Sequence, residues 1–238
     1  MKRWLRVLGL VLLALVLAAG SVWYSAFRPN SAIIDGQELA PGVVTVKEFF
    51  VSAFILDVAP GKVALVDAGK DKDAAPILAA LTRRGLGPGA VVAIFLTHGH
   101  GDHTAGCNAF PDAAVYALAE DVALVGDAAK GTRPLRDGEV VDVGGLRVET
   151  FAVPGHTPGS AVYFARGVLF FGDSAGASSS GEVMKAVSLF SKDSGQNVAS
   201  LKALAARLAP RAAEVKELAF AHTGPLPGFA PLAAFAAK

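Results

Sequence analysis

Val91-Val92-Ala93-Ile94-Phe95-Leu96-Thr97-His98-Gly99-His100-Gly101-Asp102-His103 is the stretch on which the reading of this chain turns. Its first six residues are an unbroken apolar run bounded by glycine-rich sequence, as in a parallel strand buried on both faces. The remaining residues place three imidazoles and a carboxylate at the strand's C-terminal mouth. A neutral imidazole nitrogen donates a lone pair near physiological pH, so histidines gathered in this way point to metal ligation. If the strand's period of two continues, His98, His100 and Asp102 share one face and His103 turns to the other.

The chain has 5 histidines, and the remaining two repeat the theme. His156 stands in Val153-Pro154-Gly155-His156-Thr157-Pro158-Gly159-Ser160, a turn that directly follows the alternating run from Leu146 to Phe151. His222 follows Leu218-Ala219-Phe220-Ala221. Between them, Gly167-Val168-Leu169-Phe170-Phe171-Gly172 ends in Asp173, a carboxylate that is costly to bury without a charged partner. Glycine and proline explain any one of these turns. Four apolar strands that each end in a metal-ligand side chain are better explained by one site.

These residues resemble the signature of the metallo-β-lactamase-fold hydrolases, His-x-His-x-Asp-His followed by a distant His, Asp and His, over most of the chain after its N-terminus. The resemblance implies an α+β fold, a four-layer αββα sandwich, preceded here by an N-terminal hydrophobic helix. It implies two divalent metal ions, zinc in the first place, with iron or manganese accepted by the same donors. One would be held by His98, His100 and His156 and the other by Asp102, His103 and His222, with Asp173 bridging them. Asp67, in Val63-Ala64-Leu65-Val66-Asp67-Ala68-Gly69, is similar to the family's strand-end aspartate behind the ligands, which orients imidazoles and raises their basicity. A turn cap in Asp-Ala-Gly accounts for the same residue equally well.

The implied chemistry is metal-assisted hydrolysis of a small ester, thioester, lactone or amide. Zinc lowers the pKa of bound water to about 7. The resemblance assigns a bridging hydroxide as nucleophile, with Asp102 as the catalytic residue that orients it. Lactamases with a cysteine near the position of Asp173 and those without a bridging Asp both depart from this chain. The His-Thr-Pro-Gly-Ser run and Asp173 are more similar to glyoxalase II and related thioesterases, although only sixteen residues follow His222, where those enzymes carry a helical region for glutathione. Lactonases of the family carry a tyrosine after the bridging Asp, where Ser174, Ala175 and Gly176 stand here, and its nucleases insert an extra domain or arm. The alternative is a mononuclear-iron sulfur oxidoreductase of the persulfide dioxygenase type, which keeps the same ligands. Diiron members place a glutamate where His100 stands. A purely structural metal site is disfavoured, because structural zinc is held by four closed ligands.

The rest of the chain frames this site. A length of 238 residues with 53% hydrophobic residues supports one sizeable core, and a net charge of +1 argues against a nucleic-acid partner. The expected partner is a small-molecule substrate, and nothing points to a protein partner. Cys107 is the only cysteine, so no intrachain disulfide forms, and it reads as a small buried apolar residue in a helix after the metal loop. Strands are expected at 43–47, 49–58 and 62–67, a helix at 73–84, strands near 113, 146, 161, 168 and 218, and a helix at 197–208. Specificity is expected in the groove loops, including Ser174 to Gly195, with a mobile Ser178-Ser179-Ser180-Gly181 and with Met184, Leu189 and Phe190 facing substrate.

Residues 1–29 differ in kind from the domain expected at 30–238. A basic Met1-Lys2-Arg3-Trp4-Leu5-Arg6 precedes Val7 to Gly20, almost wholly Leu, Val, Ala and Gly, as in a secretory signal. Ala18-Ala19-Gly20 offers a cleavage site. Apolar character then resumes through Phe27 and stops at Arg28-Pro29, about 21 residues in all, enough to span a ~30 Å hydrocarbon core. With Trp23 and Tyr24 at the outer interface and Lys2, Arg3 and Arg6 on the cytoplasmic side, the segment reads as an uncleaved membrane anchor, with a periplasmic or secreted enzyme if it is removed.

Overall fold

In the middle strands of the domain successive apolar residues go to opposite sides, and this alternation generates its layers. The computed structural model describes the backbone of residues 2–27 and 30–238 and the side chains of residues 4–21 and 30–238. It divides into a unit ending at Asn30 and a unit Ser31–Lys238.

The first unit holds helix α1 (Lys2–Phe27). Its Trp4–Ser21 stretch is long and apolar enough to cross a membrane, and a signal sequence has the same character. The expected placements of Lys2, Arg3, Trp23 and Tyr24, and the end of the span at Arg28-Pro29, lie outside the described residues.

The second unit contains strands β1 (Glu38–Ala40), β2 (Val43–Glu48), β3 (Val51–Ala59) and β4 (Lys62–Val66), helix α2 (Ala75–Arg83), β5 (Val91–Phe95), a helical turn α3 (Gly101–Thr104), β6 (Ala114–Leu118), a short helix α4 (Val122–Val125) and β7 (Arg133–Leu135). These seven strands form one sheet in sequence order, antiparallel from β1 to β4 and parallel from β4 to β7. The second sheet uses β8 (Val140–Val143), β9 (Leu146–Ala152), β10 (Ala161–Ala165), β11 (Val168–Phe170), β14 (Glu217–Ala219) and β15 (Leu226–Pro227). A small hairpin, β12 (Ala175–Ala177) and β13 (Val183–Lys185), and helices α5 (Ser194–Leu208) and α6 (Ala230–Ala236) complete it.

Three apolar clusters fill the spaces between layers. Phe54, Leu56, Ala64, Val66 and Phe95 from one sheet meet Val148, Tyr163, Val168 and Phe170 from the other. The intervening residues Ala53, Ile55, Val63, Leu65 and Ile94 face Ile77 and Leu81 of α2. Phe151, Val162 and Leu169 face Leu201, Leu204 and Leu208 of α5. Each Val, Leu or Phe buried in this way is worth about 1.5–3 kcal/mol. Two sheets packed face to face, each covered by helices on its outer face, are the αββα sandwich expected, and the alternation inside strands is what selects it.

One local expectation is corrected, and others gain detail. Phe49 is a turn residue with φ 53°, not part of β3. Cys107 is buried as expected, in a 3-10 helix directly after the metal loop, and its thiol is pushed up to about 12 by desolvation. Ser178-Ser179-Ser180-Gly181 is the turn of the β12–β13 hairpin, held by Ser178 Oγ, which accepts from Glu182 N at 3.0 Å. The short strands β7, β8, β12, β13 and β15, each of 2 to 4 residues, are too short for a periodic signal.

Candidate metal centre

The strand ends expected to carry ligands lie together at one edge of the sandwich. His98 follows β5, His156 lies in the turn after β9, Asp173 follows β11 and His222 follows β14. The two sheets are joined beside them, where Ala161 N donates to Thr97 O at 2.7 Å, Tyr163 Oη to Leu96 O at 2.8 Å and Ser52 N to Ala221 O at 2.8 Å. Gly172 has φ 53°, and a Cβ there would strike the Thr97 side chain, so the residue before Asp173 has to be glycine for the sheets to close.

The seven side chains expected as ligands fall into groups. His100 Nδ1 lies 3.1 Å from His98 Nε2 and 3.0 Å from His156 Nε2. A second group comprises Asp102, His103 and His222, with Asp102 Oδ2 at 3.8 Å from His103 Nε2 and 3.5 Å from His222 Nε2. Asp173 lies between the groups: Oδ1 is 3.2 Å from His103 Nε2 and 3.0 Å from His222 Nε2, while Oδ2 is 3.5 Å from His156 Nε2.

One expectation about this loop is corrected. β5 ends at Phe95, and Gly101–Thr104 is a helical turn, so the strand period does not reach Asp102. Adjacent helical residues are about 100° apart rather than opposed. His103 therefore does not point away but joins Asp102 in the second group.

The backs of the imidazoles are fixed as well. His103 Nδ1 donates to Asp67 Oδ2 at 2.8 Å, with both side chains fully buried. Thr97 donates to the same carboxylate through N at 2.7 Å and Oγ1 at 2.8 Å, and Thr97 Oγ1 lies 3.2 Å from His98 Nδ1. His222 Nδ1 donates to Phe50 O at 2.9 Å, and His156 Nδ1 lies 3.2 Å from Ser191 Oγ. With Nδ1 occupied as donor, Nε2 is the atom that each of these rings turns toward the centre. Asp67 adopts φ 60° at the end of β4 and serves His103 directly and His98 through Thr97 rather than capping a turn.

A further carboxylate carries no sequence signal. Asp121 is fully buried and accepts from Gly99 N at 2.9 Å, Gly159 N at 2.7 Å and Thr157 Oγ1 at 2.7 Å. It clamps the His98–His100 loop to the His156 turn. Its neighbours Glu120 and Val122 belong to no motif, so only the fold reveals it.

The electrostatics fit a cation-binding centre. Burial pushes His98 well down and His156 down to about 4, leaving both neutral. Burial opposes charge on His103 and His222 too, but Asp173 outweighs it, with Asp67 also acting on His103, and both are raised. Burial likewise opposes ionisation of Asp173, yet His103 and His222 hold its carboxyl well below the usual range. Positive charge is thus favoured where the second group converges. His103 Nε2 and Asp173 Oδ1 are buried without a hydrogen bond in good geometry, which is rare unless another partner is intended. In each trio His98–His100–His156, His98–His103–Asp173 and Asp102–His103–His222 the donor atoms lie within 4.8 Å of one another. Asp102 and His222 remain partly exposed, so the centre is open to water or substrate on that side, as catalytic sites are.

The family model of the Metallo-beta-lactamase superfamily matches residues 46–222. A hydroxyacylglutathione hydrolase from Dechloromonas aromatica is 38% identical over 145 residues, 60% of this chain and 48% of the relative. Another from Citrobacter koseri is 40% identical over 118 residues, 48% of this chain and 42% of the relative. The matches thus span about half the length of these relatives or less. Among solved structures, a metallo-beta-lactamase family protein from Thermus thermophilus has TM-score 0.64 at 23% identity, covering 84% of this chain and 80% of that one. The Rm3 metallo-beta-lactamase has TM-score 0.67 at 19% identity, covering 87% and 91%. At these identities the structural likenesses show the fold alone.

Proposed function

The chain belongs to the metallo-beta-lactamase superfamily, and from that premise we propose that it hydrolyses a small ester or thioester, with lactones and amides as further members of the class, at a centre that holds two divalent ions. The observation that carries this reading is the placement of Asp173, with one carboxylate oxygen toward His103 and His222 and the other toward His156. His98, His100 and His156 would hold one ion, Asp102, His103 and His222 the other, and Asp173 would touch both. Bound there, such a pair supplies Lewis acidity and a water acidic enough to ionise near neutral pH.

The chain's own residues do the positioning. Asp102 is partly exposed beside His222, where its carboxylate can accept a hydrogen bond from the attacking water and aim it. Asp67, Thr97, Ser191 and the Phe50 carbonyl hold the imidazoles in one tautomer. In the net reaction the water oxygen bonds to the acyl carbon and the acyl–oxygen or acyl–sulfur bond breaks. One water proton goes to the leaving group, the other is released to solvent, and the acid leaves as its carboxylate. The named activity of the hydroxyacylglutathione hydrolase relatives favours a thioester within this class. The apolar α1 favours export or anchoring, with catalysis outside the cytoplasm.

The test is metal content by plasma mass spectrometry, together with turnover of chromogenic ester, thioester, lactone and cephalosporin substrates. Two metal ions per chain with chelator-sensitive hydrolysis supports the proposal. One iron per chain, no hydrolysis, and oxygen uptake with a persulfide overturns it.

A further inference from the structure

Large hydrophobic side chains left exposed on residues 31–238 are few and unevenly placed. They are Ile34, Phe49, Phe50, Leu124, Val140, Val187, Leu189 and Phe190. All but Ile34 and Val140 belong to three segments that touch the metal centre. Scattered exposed apolar residues need no explanation, but apolar surface concentrated at one place marks an interaction site.

The first segment is the β2–β3 turn. The Phe50 ring stacks on His222 with centroids 5.6 Å apart and an interplanar angle of 25°, and Phe49 packs edge-on against Phe50 at 5.5 Å. Lys70 Nζ lies 4.8 Å from the centroid of the Phe50 ring, a cation–π contact that holds this ring in place. The second segment runs from Val187 to Phe190 and leads into Ser191, whose hydroxyl meets His156. It is laced to the His156 turn, with Ser191 Oγ donating to Val187 O at 2.9 Å and Lys192 N to His156 O at 3.0 Å. The third is Leu124, which covers Gly99 between His98 and His100. A Cβ at Gly99 would sit 2.7 Å from the Leu124 Cβ.

We propose that these three segments form an apolar rim for the acyl group of the substrate, so that the centre is selective for esters or thioesters of medium-length unbranched fatty acids over those of short acids. The proposal rests on the hydrolytic reading above and specifies the substrate class of that same site. Phe49–Phe50, Val187–Phe190 and Leu124 adjoin ligands from both groups, so a chain attached to a carbonyl at the centre meets them on leaving it. Phe49 and Leu189 are 81% and 72% exposed, a cost that an acyl chain laid against them would reverse. An imidazole-stacked, cation-held phenyl ring is rigid and loses little entropy on contact. Chemically the step is the same hydrolysis, releasing a fatty carboxylate, a proton and the alcohol or thiol.

The full-length, metal-loaded enzyme is assayed against p-nitrophenyl acetate, butyrate, hexanoate and octanoate below their micellar concentrations. Burial is worth about 0.8 kcal/mol per methylene, so even partial burial should raise kcat/KM at least roughly thirtyfold from acetate to octanoate. In the F49S/L189S double variant, whose sites are too exposed for folding to be at stake, that ratio should shrink to about fivefold or less. Acetate turnover with a flat series, or a double variant that keeps the full ratio, overturns the apolar rim alone. No turnover of these esters, of the matching acyl thioesters, or of lactone and cephalosporin substrates by protein with its metals bound overturns the hydrolytic reading and this one with it.

Discussion

Asp67 holds His103 through a 2.8 Å hydrogen bond between two fully buried side chains, and the same carboxylate takes both the amide and the hydroxyl of Thr97. One strand-end residue of β4 thereby sets two imidazoles, His103 directly and His98 through Thr97. Asp67→Asn keeps the shape and tolerates the left-handed backbone but removes the charge. Loss of such an outer partner weakens metal binding about 10–100-fold. Competition with a chromogenic chelator measures it, and an unchanged affinity would remove Asp67 from this role.

Asp173→Ala takes away the one carboxylate that faces both ligand groups. Occupancy of both metal positions should fall together, read as metal per chain after dialysis. Loss of only one metal would show that Asp173 belongs to one group.

The histidines give the metal-free protein an unusual pH profile. His98 and His156 are lowered from 6.5, so the stability tied to their neutral forms is present above 6.5 and falls as pH drops below it. His103 and His222 are raised from 6.5, so their contribution is full below 6.5 and is lost as pH rises through their folded values. Asp173, lowered from 3.8, contributes above that value. The cluster's contribution therefore peaks near pH 6.5, and the Tm of chelated protein should show it. Metal must displace the protons on His103 and His222, so loading should move the optimum upward. An identical profile with and without metal would contradict this coupling.

Asp121→Ala leaves Gly99 N, Gly159 N and Thr157 Oγ1 without their buried acceptor. Each buried unsatisfied group costs about 1–3 kcal/mol, so a total loss of about 3 kcal/mol or more is expected. For a domain of this size that lowers Tm by roughly 6–12 °C, measurable by calorimetry. Activity should fall further than stability alone predicts, because the His98–His100 loop and the His156 turn lose their common anchor.

Residues 31–238 form a compact unit with its own three apolar clusters. Expressed alone they should be soluble and bind metal with the affinity of the full chain, while the full chain should partition into the membrane fraction of its host. An insoluble or metal-free 31–238 protein would show that the N-terminal segment is needed for folding.

The sequence by itself singled out the candidate ligands and the strands that carry them, because an apolar run ending in His or Asp is a local pattern with a direct physical meaning. His98, His100, Asp102, His103, His156, Asp173 and His222 were all legible, as was α1. The family resemblance implied how they divide, but strand period did not, and the tertiary structure supplied the physical reason. A helical turn at Gly101–Thr104, not strand alternation, puts Asp102 and His103 in one group. It alone revealed the roles of Asp121, Ser191 and the Phe50 carbonyl, whose partners lie 22 to 172 residues away in sequence. It also assembled the apolar rim from three segments with no shared motif. Period and turn chemistry act over a few residues, whereas hydrogen bonds and packing between the two sheets exist only once the chain has closed on itself.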